Sequence, residues 1–205
     1  FPYEPQAIAP SPAAELGLSP PLMMQVAGLG IYAYWNNRIY AEFTSYRPWK
    51  GRASDEESMG MLQGMAPYWR LVVQGGKDIR SFAAGIYGIA GETMLEPSDP
   101  MFMMLGETQR YQDIGLDAQY QSIGDAHIFS AYGTWINRTV EYGEEMMTVE
   151  SKLDIFRVNG SYSYQRKYVL MLGYFAINGD TDPLLYPMEA EVGSRTGSPD
   201  SIGYI

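Results

Sequence analysis

The sequence predicts an all-β chain: an antiparallel up-and-down transmembrane β-barrel, with about eight strands present and a larger barrel implied. Three observations carry this reading. Eight β-rich runs of about ten residues fall into four pairs, each joined by a short polar turn. Most runs alternate apolar and polar residues with period two, as half-buried strands do. The connections between pairs are long and acidic, whereas the short turns carry Lys77, Arg166 and Lys167 with Arg38 adjacent. Long loops at one end and tight turns at the other describe an up-and-down barrel.

The elements follow in order. Residues 1–24 hold six prolines and are expected to form an extended lead-in, because proline suits neither helix interiors nor central strands. Residues 25–205 are the barrel region. Its first pair, 26–35 and 38–47, turns at Asn36-Asn37, and asparagine tolerates the left-handed backbone of a hairpin turn. The second pair, 68–74 and 79–89, is joined by GGKD at 75–78, and the third, 113–122 and 127–137, by IGDA at 123–126. The fourth, 152–164 and 168–178, turns at QRK, 165–167. The connections then cover roughly 48–67, 91–110, 138–151 and 179–199.

Alternation assigns faces. In the fifth run Ile114, Leu116, Ala118 and Tyr120 oppose Asp113, Asp117, Gln119 and Gln121. In the second, Ile39, Ala41 and Phe43 oppose Tyr40, Glu42, Thr44 and Tyr46. The seventh needs a slip near Ile155 to set Asp154, Arg157 and Asn159 against Phe156 and Val158. The fourth run is ambiguous, and the eighth is apolar on both faces. Glu42, Arg70, Asp117, Gln119, Asp154, Arg157 and Asn159 are the candidate lumen-facing residues. They would line a water-filled path, dock a partner inside the barrel, or form a satisfied polar plug.

Composition limits the chemistry. The chain has 205 residues, 14 basic and 24 acidic side chains, no cysteine and a single histidine, His127. Disulfides, thiolate metal sites and a CxxCH haem attachment are therefore excluded within this stretch. His-based triads are disfavoured, and the net charge of −10 argues against nucleic acid as a partner. No apolar run reaches the length of a transmembrane helix, which leaves membrane strands open. Aromatic residues near strand ends, among them Trp35, Tyr46, Trp69, Tyr120, Tyr164 and Tyr168, suit interfacial girdles. Tyr and Trp also favour strands in soluble sandwiches.

Methionine is concentrated in the connections. Met59, Met61, Met65, Met101, Met103 and Met104 are candidate contact residues over one end of the sheet. Thioether clusters can bind Cu(I) or a haem iron, but Met more often fills irregular packing. Packing is the reading adopted, and no metal site is assigned. The acidic connections lack Ca²⁺-loop spacing, so a solvated surface outweighs a divalent bridge to lipopolysaccharide. GxSxG, P-loop, HExxH and dinucleotide signatures are all absent from the sequence, and no enzymatic activity is expected.

Several stretches taken together resemble a family. QVAGLGIYAYWNNRIYAE (25–42), APYWRLVVQ (66–74), YQDIGLDAQYQSIGD (111–125), NGSYSYQRKYVLMLGYF (159–175) and DPLLY with GSPDSIGYI (182–186 and 197–205) are similar to Gram-negative outer-membrane proteins often labelled cytochrome c-like. The resemblance covers most of 25–205 and rests on scaffold motifs rather than active-site signatures. It implies an outer-membrane location, lipid and lipopolysaccharide as surroundings, and further strands beyond those present. Members of that family typically carry an N-terminal CxxCH haem motif, which this chain lacks. Haem c would then belong to an upstream segment or to a partner, either a c-type cytochrome or another barrel chain.

Three functions are consistent with this. The first expectation is a porin-like passage or scaffold. The second is a barrel in extracellular electron transfer that houses or positions a haem carrier. The third is a structural assembly subunit. With no initiator Met at Phe1, and a new extended segment opening near Ile202, the chain reads as a fragment of a longer protein. That last segment is expected to pair with the strand at 168–178.

Overall fold

The computed structural model describes residues 26–48, 62–94, 108–142, 149–181 and 200–204. All regular structure among them is β, arranged as one antiparallel up-and-down sheet. The strands are β1 (Val26–Trp35), β2 (Ile39–Pro48), β3 (Leu62–Gln63), β4 (Ala66–Lys77) and β5 (Arg80–Met94). They continue as β6 (Thr108–Ile123), β7 (His127–Tyr142), β8 (Val149–Tyr164), β9 (Tyr168–Gly179) and β10 (Ser201–Tyr204). Their order across the sheet is β1-β2-β4-β5-β6-β7-β8-β9-β10, with β3 beside β5. The sheet is not closed: β1 and β10 are its two edges. The pairing of β10 with β9, Ser201 opposite Ile177, is the one expected from the sequence. The lead-in 1–24 lies outside the described residues.

The turns stand side by side at one end. Backbone bonds link neighbouring ones: Gln74 N to Arg38 O at 2.7 Å, Ile123 N to Ile79 O at 2.8 Å, and Gln165 N to Ala126 O at 2.6 Å. Asn36 and Asn37 have φ of 48° and 53°, the left-handed conformation that asparagine admits. Gln165 and Arg166 adopt the same region, at 50° and 57°. The second turn differs from expectation. Gly75, Gly76 and Lys77 remain in β4, paired with Phe82, Ser81 and Arg80, and the chain reverses at Asp78 and Ile79. The two glycines read as turn residues, but Gly75 is needed because the Phe82 ring lies where its side chain would be.

The strands also run further than expected at the other end. β7 reaches Tyr142 and β8 starts at Val149, so most of the expected connection 138–151 is strand. Alternation continues there, with Arg138 and Val140 on the buried face and Thr139 and Glu141 on the other. No slip occurs near Ile155, because β7 and β8 pair without interruption from His127↔Tyr164 to Tyr142↔Val149. β3 and β4 form one interrupted strand. Gly64, with φ of 65°, and Met65 bulge out between Gln63↔Glu92 and Tyr68↔Ile89.

Directly paired residues share a face, so the registers sort the whole sheet. One face carries the core: Leu62, Ala66, Tyr87, Ile89, Ile136 and Ile155 are buried in one cluster. The opposite face is exposed and apolar from edge to edge. Side by side across it run Ile31, Phe43, Trp69 and Gly88, then Ile86, Leu116, Trp135, Phe156 and Ala176. On β5 this band extends from Phe82 to Ala90 without a charge. That is close to the roughly nine to eleven residues of a membrane-crossing strand.

Candidate functional site: the polar lining of the sheet

Behind the apolar band, the buried face brings charged side chains together. Arg70 on β4 reaches across β5 to form an ion pair with Asp117 on β6. Its guanidinium lies over the Tyr87 ring, 5.5 Å from the centroid, which adds a cation–π contact. Glycines make room for this layer. The Tyr87 ring occupies the space above Gly115, and the Asp117 carboxylate stands where Gly85 would project a Cβ.

A second pair sits beside it. Arg138 on β7 faces Asp113 on β6, with Nε 3.1 Å from Oδ1 and Nη2 3.3 Å from Oδ2. This two-point fork is the strong form of a guanidinium–carboxylate contact. The Asp113 side chain is fully buried and that of Arg138 only 16% exposed, so each charge depends on the other. Glu42 is the registered partner of Arg70 but is held on its own strand. It accepts from Tyr40 Oη at 2.8 Å and from Thr44 Oγ1 at 3.0 Å. Arg157 stands on the same face, with Thr134 between it and Asp117. Among the described residues, Arg70, Arg138 and Arg157 thus balance Glu42, Asp113 and Asp117 on this face.

Of the seven residues expected to share one face, six do. Glu42, Arg70 and Tyr87 stand in one row, Asp117, Thr134 and Arg157 in another, and Gln119, Tyr132 and Asn159 in a third. Asp154 is the exception. With no slip at Ile155 it shares the face of Phe156, just beyond the apolar band, where Asn137 Nδ2 donates to it at 3.0 Å. Further from the band, Lys152 Nζ donates to Glu150 at 2.8 Å, and that hydrogen bond raises the lysine pKa.

The Asp113–Arg138 pair lies outside the candidate set, because Arg138 falls within the expected connection 138–151. The polar parity of Asp113 with Asp117 and the alternation through Thr139 and Val140 are the signals that could have found it. Met65 is described and exposed, with its sulfur accepting from Ser45 Oγ at 3.8 Å. Met59, Met61, Met101, Met103 and Met104 lie outside the described residues.

No family model, curated protein or solved structure matches this chain. Among the described residues no group of three or more His, Asp or Glu side chains is placed to hold a metal ion. The buried face instead offers fixed, compensated charges bordered by an apolar layer of Tyr87, Ile136 and Ile155.

Proposed function

We propose that this sheet is part of a β-barrel in the outer membrane of a Gram-negative bacterium, giving a porin-like passage or scaffold without enzymatic activity. One observation carries the reading: an exposed, uncharged apolar band crosses every long strand, while the opposite face of the same strands carries paired charges. In water such a band would be a severe aggregation liability, because exposed apolar patches on soluble chains rarely exceed a few hundred Å². Against lipid tails it is the expected surface. Among the described residues β1 and β10 each pair on one side only, which supports closure by further strands or another chain, since backbone groups in lipid have no water to satisfy them.

In this reading the buried face lines the interior, with Arg70, Asp117, Gln119, Arg157 and Asn159 along the path. The layer of Tyr87, Ile136 and Ile155 narrows it. Planar-bilayer recording on the purified protein tests the proposal, and stable conductance steps are the expected outcome. A co-purifying haem absorbance without conductance would instead favour the barrel that positions a haem carrier. Stable oligomers or fibres with neither property would favour an assembly subunit.

A further inference from the structure

The two ends of the sheet differ in charge in a way that the passage does not use. At the turn end the described residues include five cations, Arg38, Lys77, Arg80, Arg166 and Lys167, against two carboxylates, Asp78 and Asp125. All five cations are exposed, and none forms an ion pair among the described residues. At the opposite end, from the Asp154 row outward, Arg47, Arg110, Arg138 and Lys152 stand among seven carboxylates: Glu92, Asp113, Glu141, Glu150, Asp154, Asp180 and Asp200.

The turn-end cations are also placed for a particular partner. Lys77 and Arg80 are directly paired and share the face of the apolar band, one alternation step beyond Gly75 and Phe82. Beside them on that face run exposed aromatics: Phe129, Tyr162, Tyr164, Tyr168 and, toward β1, Trp35. His127 joins them, its ring 5.2 Å from Tyr164 and its Nδ1 2.6 Å from the Tyr162 hydroxyl. The apolar band thus ends in a belt where exposed aromatics and exposed cations stand side by side, the combination that suits the interface and headgroup phosphates of a lipid leaflet.

We infer that the turn end is a docking surface for anionic phospholipid headgroups, with Lys77, Arg80, Arg166 and Lys167 holding their phosphates. The inference rests on the membrane-spanning reading and extends it, since it assigns the turn end to a leaflet rich in anionic phospholipid. Charge complementarity selects that occupant. A zwitterionic headgroup leaves the cations uncompensated, and the acidic opposite end would repel the same lipid.

The test compares the wild-type chain with K77Q/R80Q/R166Q/K167Q, and with a control, R47Q/R110Q/K152Q, altered at the opposite end. Each is inserted into vesicles of phosphatidylcholine alone or mixed with phosphatidylglycerol. Protease protection reports insertion, and the phosphatidylglycerol retained after mild detergent extraction is measured by native mass spectrometry. The expected result is a loss of retained phosphatidylglycerol of about tenfold in the turn-end variant, given the attraction of each basic residue near an anionic surface. The control should retain it as the wild type does, and raised salt should abolish the difference. Normal insertion of all three proteins with equal retention would overturn the headgroup proposal and leave the membrane reading intact. Failure of the wild type to insert into either vesicle would overturn both.

Discussion

Gly115 shows how much a missing side chain can decide. The Tyr87 ring lies across it, and an added Cβ would overlap the ring carbons. Gly28, Gly75, Gly88 and Gly203 are likewise opposite aromatic partners: Tyr46, Phe82, Trp69 and Phe175. Each pair lets a large ring lie flat on the sheet, covering backbone that glycine leaves open. Gly115→Val is expected to cost about 1–3 kcal/mol, since the ring must move and the layer beneath Arg70 with it. Gly133→Ala, whose nearest neighbours would be 3.5 Å and 3.9 Å away, should be far milder. Denaturant midpoints of the folded protein in lipid check both. The ion pairs divide by burial in the same way. Asp113→Ala leaves Arg138 buried without its carboxylate, at about 3–5 kcal/mol. Glu141→Ala, which loses an exposed Arg110 contact at 3.8 Å, should cost only about 0–1 kcal/mol.

Single strands show why two faces are needed. On β6, Ile114, Leu116, Ala118 and Tyr120 are exposed, while Asp113 is buried and Asp117 is largely so. Leu116→Arg is expected to cost about 2–4 kcal/mol when folded into lipid, and Ser122→Arg near the turn about 0–1 kcal/mol, because the penalty falls with distance from the bilayer centre. Folding titrations into vesicles measure the difference, and equal costs would show that no bilayer covers this face. Parity also shows where local reading succeeds. β2 and β6 alternate cleanly, and their faces were legible from residue order. β5 and β9 were not, because Phe82, Ile86, Tyr87 and Ile89 are all apolar, as are Leu170, Met171 and Leu172. Their faces follow only from pairing with β6 and β8.

At the scale of the molecule, the balanced lining makes a prediction about selectivity. In the proposed passage, three arginines and three carboxylates on one face should leave little preference between small anions and cations. R70Q/R157Q removes two of the cations and should move the reversal potential in a salt gradient toward cation preference. An unchanged potential would mean that this face does not border the conducting path.

Residue order by itself determined the β class, the antiparallel hairpin plan, the approximate sites of the four turns and the partner of the last strand. These depend on local chemistry: period-two alternation, left-handed asparagines and short polar breaks. Tertiary pairing decided the rest. It set the reversal at Asp78 and Ile79, extended β7 and β8 past Asn137, and placed Asp154 beside Phe156 rather than beside Arg157. It also joined Arg138 to Asp113 and laid Arg70 over Tyr87 to reach Asp117 two strands away. The physical reason is that a face is a property of registered neighbours. A strand with apolar residues on both sides, or a charge near its end, acquires its orientation only when a partner strand fixes which residues stand side by side.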